Sequence, residues 1–263
     1  MSTVATGGTP FWGSEFAGKS VFVTGAGAGL GKAIALELAG AGAKLSLLDR
    51  SADTLEKTAK EIRGLGAECI TFTGDVTDAA TVKKVVQQTA SKFGRLDLAV
   101  NNAGILGELT GVENYPPETF RRVLDVNVMG VFLCLQAEAQ VMLAQGGGAI
   151  VNIASVAGLI GWGTATAYVA SKHAVVGFTK TAALELAKRG VRVNCVCPTF
   201  IMTDLTVDFL GKPEVQSAAE AVIPAGQLGT PQSVADTTLW LLSSRASFMH
   251  GAAVAVDGGY TAQ

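Results

Sequence analysis

Ser20-Val21-Phe22-Val23-Thr24-Gly25-Ala26-Gly27-Ala28-Gly29-Leu30-Gly31 is the stretch on which the fold turns. Its first five residues suit a short buried strand. Glycines then occupy every second position up to Gly31, a helical pattern follows over 32–39, and Gly40 and Gly42 close it. A second apolar strand over 44–48 stops at Asp49. A Gly-x-Gly turn alone says little. With a strand before it, a helix after it and an acid about 20 residues on, it has the layout of a dinucleotide-binding β-α-β unit. Glycines let backbone N–H groups close on a pyrophosphate, the helix start adds partial positive charge, and the acid accepts hydrogen bonds from ribose hydroxyls. A merely tight turn would explain the glycines, but not the acid.

The alternation continues along the chain. Helical patterns are expected over 53–65 and 81–93, strands over 68–73 and 96–100, the first of these strands running to Asp75 and Val76 and the second into Asn101-Asn102-Ala103-Gly104. A long helix is expected over 117–143, with Asn127 in its middle. Beyond the central stretch come a strand over 191–197 ended by Pro198, a loop with short helices over 199–223, a helix over 233–242 and a last strand over 252–256. Strands that are apolar on both faces and alternate with helices indicate a buried, mainly parallel sheet. The expectation is an α/β fold, a single domain with a mainly parallel sheet and helices on both faces, over residues 19–263. Residues 1–18 show no periodicity and are expected to be a poorly ordered arm or a strap across a neighbour.

Composition narrows the class. The 263 residues are 49% hydrophobic and 16% charged, low in charge for a soluble protein, which suggests surface buried between subunits. A formal net charge of -2 gives no electrostatic reason to expect nucleic acid or an anionic membrane. No apolar run is read as reaching the roughly 20 residues of a membrane span. The first 18 residues lack the pattern of a signal peptide, so the expected location is cytoplasmic. Cys69 and Cys134 lie in apolar surroundings, and Cys195 and Cys197 alternate along one strand at a spacing unlike a zinc site. All four are read as buried thiols, and no metal is expected.

The chemistry is expected in the central stretch. Ala149-Ile150-Val151-Asn152-Ile153 reads as a strand that stops at Ala154-Ser155. Gly158, Gly161 and Gly163 follow, and from about 164 the pattern turns helical until Gly190 caps it. Tyr168 and Lys172, four residues apart, share one face of that helix. A serine at a strand end, a phenol and an ammonium group suit proton chemistry at a carbonyl, although Tyr-x-x-x-Lys also occurs by chance.

Together these residues resemble the short-chain dehydrogenase/reductase superfamily over 19–259. The resemblance rests on Thr24-Gly25-x-x-x-Gly29-x-Gly31, Asn101-Asn102-Ala103-Gly104, Asn127, Ser155 and Tyr168-x-x-x-Lys172. It implies a single-domain doubly wound, mainly parallel sheet (a Rossmann fold), a nicotinamide cofactor and a catalytic set of Asn127, Ser155, Tyr168 and Lys172. It also implies a homotetramer built through the helices over 117–143 and 164–187. In the family pattern Lys172 also holds the nicotinamide ribose, Asn127 supports a proton relay through water, and Thr203 contacts the carboxamide. Without the resemblance, Asn127 reads as a helix–helix hydrogen bond. One departure is Thr199, where the family usually has glycine after Pro198; a tighter backbone is expected there.

The cofactor-binding set is Gly25, Gly29, Leu30, Gly31, Asp49, Arg50, Asp75, Val76, Asn102, Ala103, Gly104, Tyr168, Lys172, Pro198 and Thr203. Asp49 would bond the adenosine ribose and repel a 2′-phosphate, favouring NAD over NADP, whereas Arg50 beside it argues the other way. The Tyr168 phenol has an ordinary pKa of about 10. Lys172 and the nicotinamide charge are expected to lower it. Pocket walls are expected from 106–112, 156–166 and 200–209, with Leu159, Ile160, Trp162, Phe200, Met202, Leu205 and Phe209 facing in and Glu108 and Asp204 at the rim. The expected reaction is hydride transfer between NAD(H) and an apolar secondary alcohol or ketone. The alternatives are an NADPH-dependent 3-oxoacyl reductase and a dinucleotide-binding regulator without turnover.

Overall fold

The computed structural model describes residues 12–263. One parallel sheet of seven strands organises them: β1 (Ser20–Thr24), β2 (Lys44–Asp49), β3 (Cys69–Thr73), β4 (Leu98–Asn101), β5 (Gly148–Ile153), β6 (Val191–Pro198) and β7 (Ala253–Val256), in the order 3-2-1-4-5-6-7. On one face lie α1 (Gly29–Gly40), α2 (Ala52–Gly64) and α9 (Pro231–Leu242). On the other lie α3 (Ala79–Phe93), α5 (Val131–Ala144) and α6 (Thr166–Leu186). Strand alternation divides the core: Val21 and Val23 of β1 join the first layer and Phe22 the second. This is the parallel sheet with helices on both faces that the alternating pattern predicts, doubly wound as the resemblance implies.

Three helix starts are closed by a local side chain, and the start of α1 is not. Ser51 caps α2, Asp78 caps α3 and Thr230 caps α9, each accepting a backbone N–H with its side-chain oxygen. Ala28 precedes α1, where no side chain caps the helix and no acid occupies the first turn. The first N–H groups of α1 therefore have no acceptor from the helix's own start and are open to one from elsewhere.

The helix expected over 117–143 is continuous but not uniform. It begins as α4 (Pro117–Leu124), widens into a π-helical segment at Asp125–Gly130, and resumes as α5. Asn127 lies in the π segment and is fully buried. By length and composition Pro117–Ala144 is apolar enough to cross a bilayer, which the search for an apolar run of that length missed. Half of its most apolar window is buried inside this domain, as in the core helix of a globular fold.

The sequence reading missed the role of 12–18. Trp12 and Phe16 are buried in the α1–α9 layer, their rings edge-on at 5.7 Å. Gly18 donates to the carbonyl of Gly42, tying the turn to the α1–β2 connection. The remainder of the expected arm, 1–11, lies outside the described residues. After β6, α7 (Val207–Leu210) and α8 (Pro213–Val222) are the short helices expected there. All four cysteines are free; three are buried as expected, but Cys69, on edge strand β3, is only half-buried.

Phe16→Ala should lower stability by about 3–5 kcal/mol, the usual cost of emptying a buried phenylalanine site. Denaturant titration measures it, and a loss below about 1 kcal/mol would mean that the 12–18 turn is not part of the core.

Candidate active site

The site lies where β1 and β4, neighbours in the sheet, send their chains to opposite faces. Such a switch point leaves a crevice beyond the strand ends. Thr24 and Asn102 brace its two sides. Thr24 Oγ1 accepts the N–H groups of Asn102 and Ala103 at 3.0 and 3.1 Å. Asn102 Nδ2 donates to the carbonyls of Thr24 and Gly25, both at 3.1 Å. Gly25 has a φ of +62°, and a Cβ there would lie 2.8 Å from Asn102 Nδ2. A Cβ on Gly31 would run into the carbonyl of Gly25. These glycines are the condition for the turn to close over the start of α1.

One hollow at this crevice is lined by Gly25, Asp49, Arg50, Asp75, Val76, Ala103 and Gly104. Asp49 is fixed there, its Oδ2 accepting from Gly27 N and its Oδ1 from Ser51 N, both at 2.9 Å. Asp75 Oδ1 accepts from the backbone and hydroxyl of Thr77. A Cβ on Gly130, in the π segment, would lie 2.7 Å from Val76 Cγ2, so the helix and this hollow are in close contact.

A second hollow shares Gly104 with the first and brings together Leu30, Asn102, Ser155, Tyr168, Lys172, Pro198 and Thr203. Gly29 completes the turn at α1, with Thr203 against it. Asp204, expected at the rim of the substrate pocket, instead accepts Gly29 N–H at 3.1 Å on the glycine turn.

Ser155 caps the short turn after β5 by accepting from Ala157 N, and its hydroxyl donates to the Pro198 carbonyl at 3.4 Å. Lys172 is buried, donates from Nζ to the Ile153 carbonyl at 2.8 Å, and lies 5.5 Å from the Tyr168 ring centre. Burial lowers Lys172 to about 8. Burial also pushes Tyr168 up to about 12, partly offset by a hydrogen bond with Ser155. Within the chain alone burial dominates and Lys172 is not among the causes acting on the phenol, so the lowering expected from it is not seen.

Asn127 sits behind these groups. Its Oδ1 accepts from Ile105 N and its Nδ2 donates to Ile105 O, both at 2.8 Å, and Nδ2 also donates to Ser171 Oγ on α6 at 3.0 Å. The last is the helix–helix bond that the plainer reading of this residue anticipated. The pair to Ile105 pins the chain just past Gly104.

Thr199 needs none of glycine's freedom, because Thr164 is the one described non-glycine residue with positive φ. Thr199 N donates to Val256 O at 3.3 Å, and its hydroxyl is buried without a hydrogen-bond partner.

A third, apolar cleft shares Ser155, Tyr168, Thr199, Leu205 and Thr206 with the second hollow. Trp162 is its hub, with ring centres 6.2 Å from Tyr168, 5.9 Å from Phe200 and 6.1 Å from Phe209. Ile160 and Leu205 line it as expected, whereas Leu159 and Met202 do not; Glu108 is exposed and accepts from the Thr119 hydroxyl. Sequence reasoning missed Tyr260, which stacks edge-on against Phe200 at 5.7 Å. The one signal was its place just after Asp257-Gly258-Gly259. Asp257 accepts from the N–H groups of Gly259 and Thr261, which curls the C-terminus back over the cleft.

A helix start behind a glycine turn, a fixed carboxylate, and a buried ammonium beside a phenol and a serine fit a nicotinamide dinucleotide. They define a dinucleotide-dependent oxidoreductase. A family model described as enoyl-(acyl carrier protein) reductase matches residues 25–261. Cyclohexanol dehydrogenase of Acinetobacter sp. (strain SE19) is 42% identical over 95% of this chain and 98% of its own. Among solved structures, levodione reductase superposes with a TM-score of 0.91 at 36% identity, covering 94% of this chain and 99% of its own. NAD+-bound xylitol dehydrogenase gives 0.89 at 35%, covering 93% and 100%. The chain belongs to the short-chain dehydrogenase/reductase superfamily.

Proposed function

We propose that the protein transfers a hydride between NAD(H) and an apolar, medium-sized or cyclic secondary alcohol or ketone, with Tyr168 as the general acid/base. The observation that carries this reading is the convergence of Ser155, Tyr168 and Lys172 where the dinucleotide crevice meets an aromatic cleft. The bound nicotinamide supplies or accepts the hydride; the protein manages the proton and the substrate oxygen. A ketone oxygen between Ser155 and Tyr168 receives a hydrogen bond from each, stabilising negative charge as it develops. A phenol with a pKa of about 12 is protonated at neutral pH, the form needed to donate during reduction. In the oxidative direction the phenol must lose its proton, and the cationic Lys172 favours that step. Asn127 holds Ile105 and Ser171 in place behind Lys172 and is the inner end of the proposed relay.

Gly25, Gly29, Leu30 and Gly31 are assigned to the pyrophosphate, and Asp49, Asp75 and Val76 to the adenosine end. Asn102, Ala103, Gly104, Pro198 and Thr203 are assigned to the nicotinamide half. Asp49 is the basis for preferring NAD, its carboxylate being held at the ribose position by Gly27 and Ser51. The cleft has no charged residue in its lining, which favours an apolar alcohol or ketone over an acyl group on a carrier protein. Four free thiols suit the cytoplasm. Met129 and Phe132 on the long helix and Leu184 on α6 expose large apolar surface, which supports a homotetramer built on these two helices.

Purified protein assayed on cyclic and aryl ketones and secondary alcohols with both dinucleotides should turn over with a preference for NAD(H). Tyr168→Phe should lower kcat by roughly 10²–10⁴-fold while dinucleotide affinity is retained. Retention of more than about a hundredth of wild-type kcat would remove Tyr168 from the proton transfer.

Asp49→Ala should shift the kcat/KM ratio toward NADP(H), because it deletes the negative charge at the 2′ position. A wild type that already prefers NADPH would show that Arg50 dominates there.

Sedimentation at micromolar concentration should give a tetramer; a clean monomer near 26.9 kDa would refute the assembly.

A further inference from the structure

Behind the active site runs a buried polar ladder that hydride transfer does not explain. Asn101 Nδ2 donates to Glu138 Oε2 and to Asn152 Oδ1, both at 3.0 Å. Asn152 Nδ2 donates to Thr179 Oγ1 at 2.9 Å, and Thr179 Oγ1 donates to the Val175 carbonyl at 2.7 Å. Glu138, Asn101, Asn152 and Thr179 are all at most 1% exposed. They sit on α5, β4, β5 and α6 in turn. Those elements lead directly to Asn102-Ala103-Gly104, to Ser155, and to Tyr168 and Lys172.

Two atoms of the ladder lack a donor: Asn101 Oδ1 and Glu138 Oε1. Buried acceptors without a donor are costly, and these two belong to side chains already joined through their other atoms. One proton satisfies both. Carried on Glu138 Oε1 and donated to Asn101 Oδ1, it closes the acid and the amide into a two-bond ring. We propose that Glu138 is a neutral carboxylic acid in the folded protein, hydrogen-bonded both ways to Asn101, and that it is a positioning residue holding the end of β4 against β5 and α6.

The surroundings agree. Burial pushes the Glu138 carboxyl up to about 8, with the Asn101 bond pulling in the opposite direction. Asn101 faces it from β4, and Asn152 and Thr179 continue from β5 and α6, none of them charged. Cys134, one turn earlier on α5, is the titratable neighbour, and its thiol is itself raised by burial and by Glu138. No cation is among the causes acting on the carboxyl. An ionised Glu138 would hold its charge in the core on one hydrogen bond.

The pH dependence has a definite sign. In the unfolded chain the carboxyl titrates near its ordinary value of 4.5, and in the fold near 8. Between these values the folded state keeps a proton that the unfolded state has released. The contribution of Glu138 to stability is therefore complete below about 4.5, lost progressively as pH rises, and gone above about 8.

Glu138→Gln tests this directly, since the amide keeps one donor and one acceptor and cannot ionise. Infrared spectra of the wild type at neutral pH should show a protonated carboxylic acid band that is absent from Glu138→Gln and fades as pH is raised past about 8. Melting temperature measured against pH should lose, in Glu138→Gln, the decline that separates it from wild type between mildly acidic and alkaline pH. Dinucleotide affinity by fluorescence titration should stay within about twofold in Glu138→Gln at neutral pH. In Glu138→Ala, which removes the acid from Asn101 and leaves it only the bond to Asn152, it should fall on the order of tenfold, the scale of one lost buried hydrogen bond. Absence of the acid band, or an identical pH decline in wild type and Glu138→Gln, would overturn the proposal even if Glu138→Ala does not fold.

Discussion

The hydrogen-bonded junction of Thr24 with Asn102 and Ala103 is the constraint on which the rest of the molecule depends. β1 and β4 are parallel neighbours, yet the chain after β1 enters α1 on one face, and the chain after β4 leads to α5 on the other. Separation of the two exits opens the crevice, and backbone groups on both lips are left without ladder partners. One threonine hydroxyl and one asparagine amide satisfy four of those backbone groups locally, two N–H and two carbonyl. The crevice is therefore rigid on its inner side and open on its outer side.

Burial then sets the chemistry inside. Desolvation favours the neutral form of each buried ionisable group, raising Tyr168 and Glu138 and lowering Lys172. At the active site this leaves a phenol able to donate and an ammonium that holds its proton only narrowly. In the ladder behind it, the same physics turns a glutamic acid into a hydrogen-bond donor. A single cause thus acts on the Tyr168–Lys172 pair and on Glu138 behind it.

The π segment at Asp125–Gly130 joins the two layers of this design. Its altered register lets Asn127 bond Ile105 and Ser171 while Gly130 lies close against Val76. Widened turns inside longer helices are frequently found at functional sites, because they redirect a side chain without ending the helix. Here the redirected group is a buried amide that ties the loop after β4 to α6.

The sequence by itself determined the α/β fold, because strand and helix periodicities differ and short connections between alternating elements permit few arrangements. It also marked the glycine turn, since only glycine tolerates the close approaches at positions 25 and 31, and it marked Tyr168 and Lys172 through their shared helical face. Tertiary structure decided what depends on contacts distant in the chain. Trp12 and Phe16 have no periodic context, and their burial arises from meeting α1 and α9. Tyr260 reaches the cleft because Asp257 curls the C-terminus, a geometry no local pattern encodes. Asp204 met the glycine turn 175 residues earlier in the chain, and Glu138 found Asn101 across 37 residues. Even the phenol's acidity followed from enclosure, which a residue's neighbours in sequence do not fix.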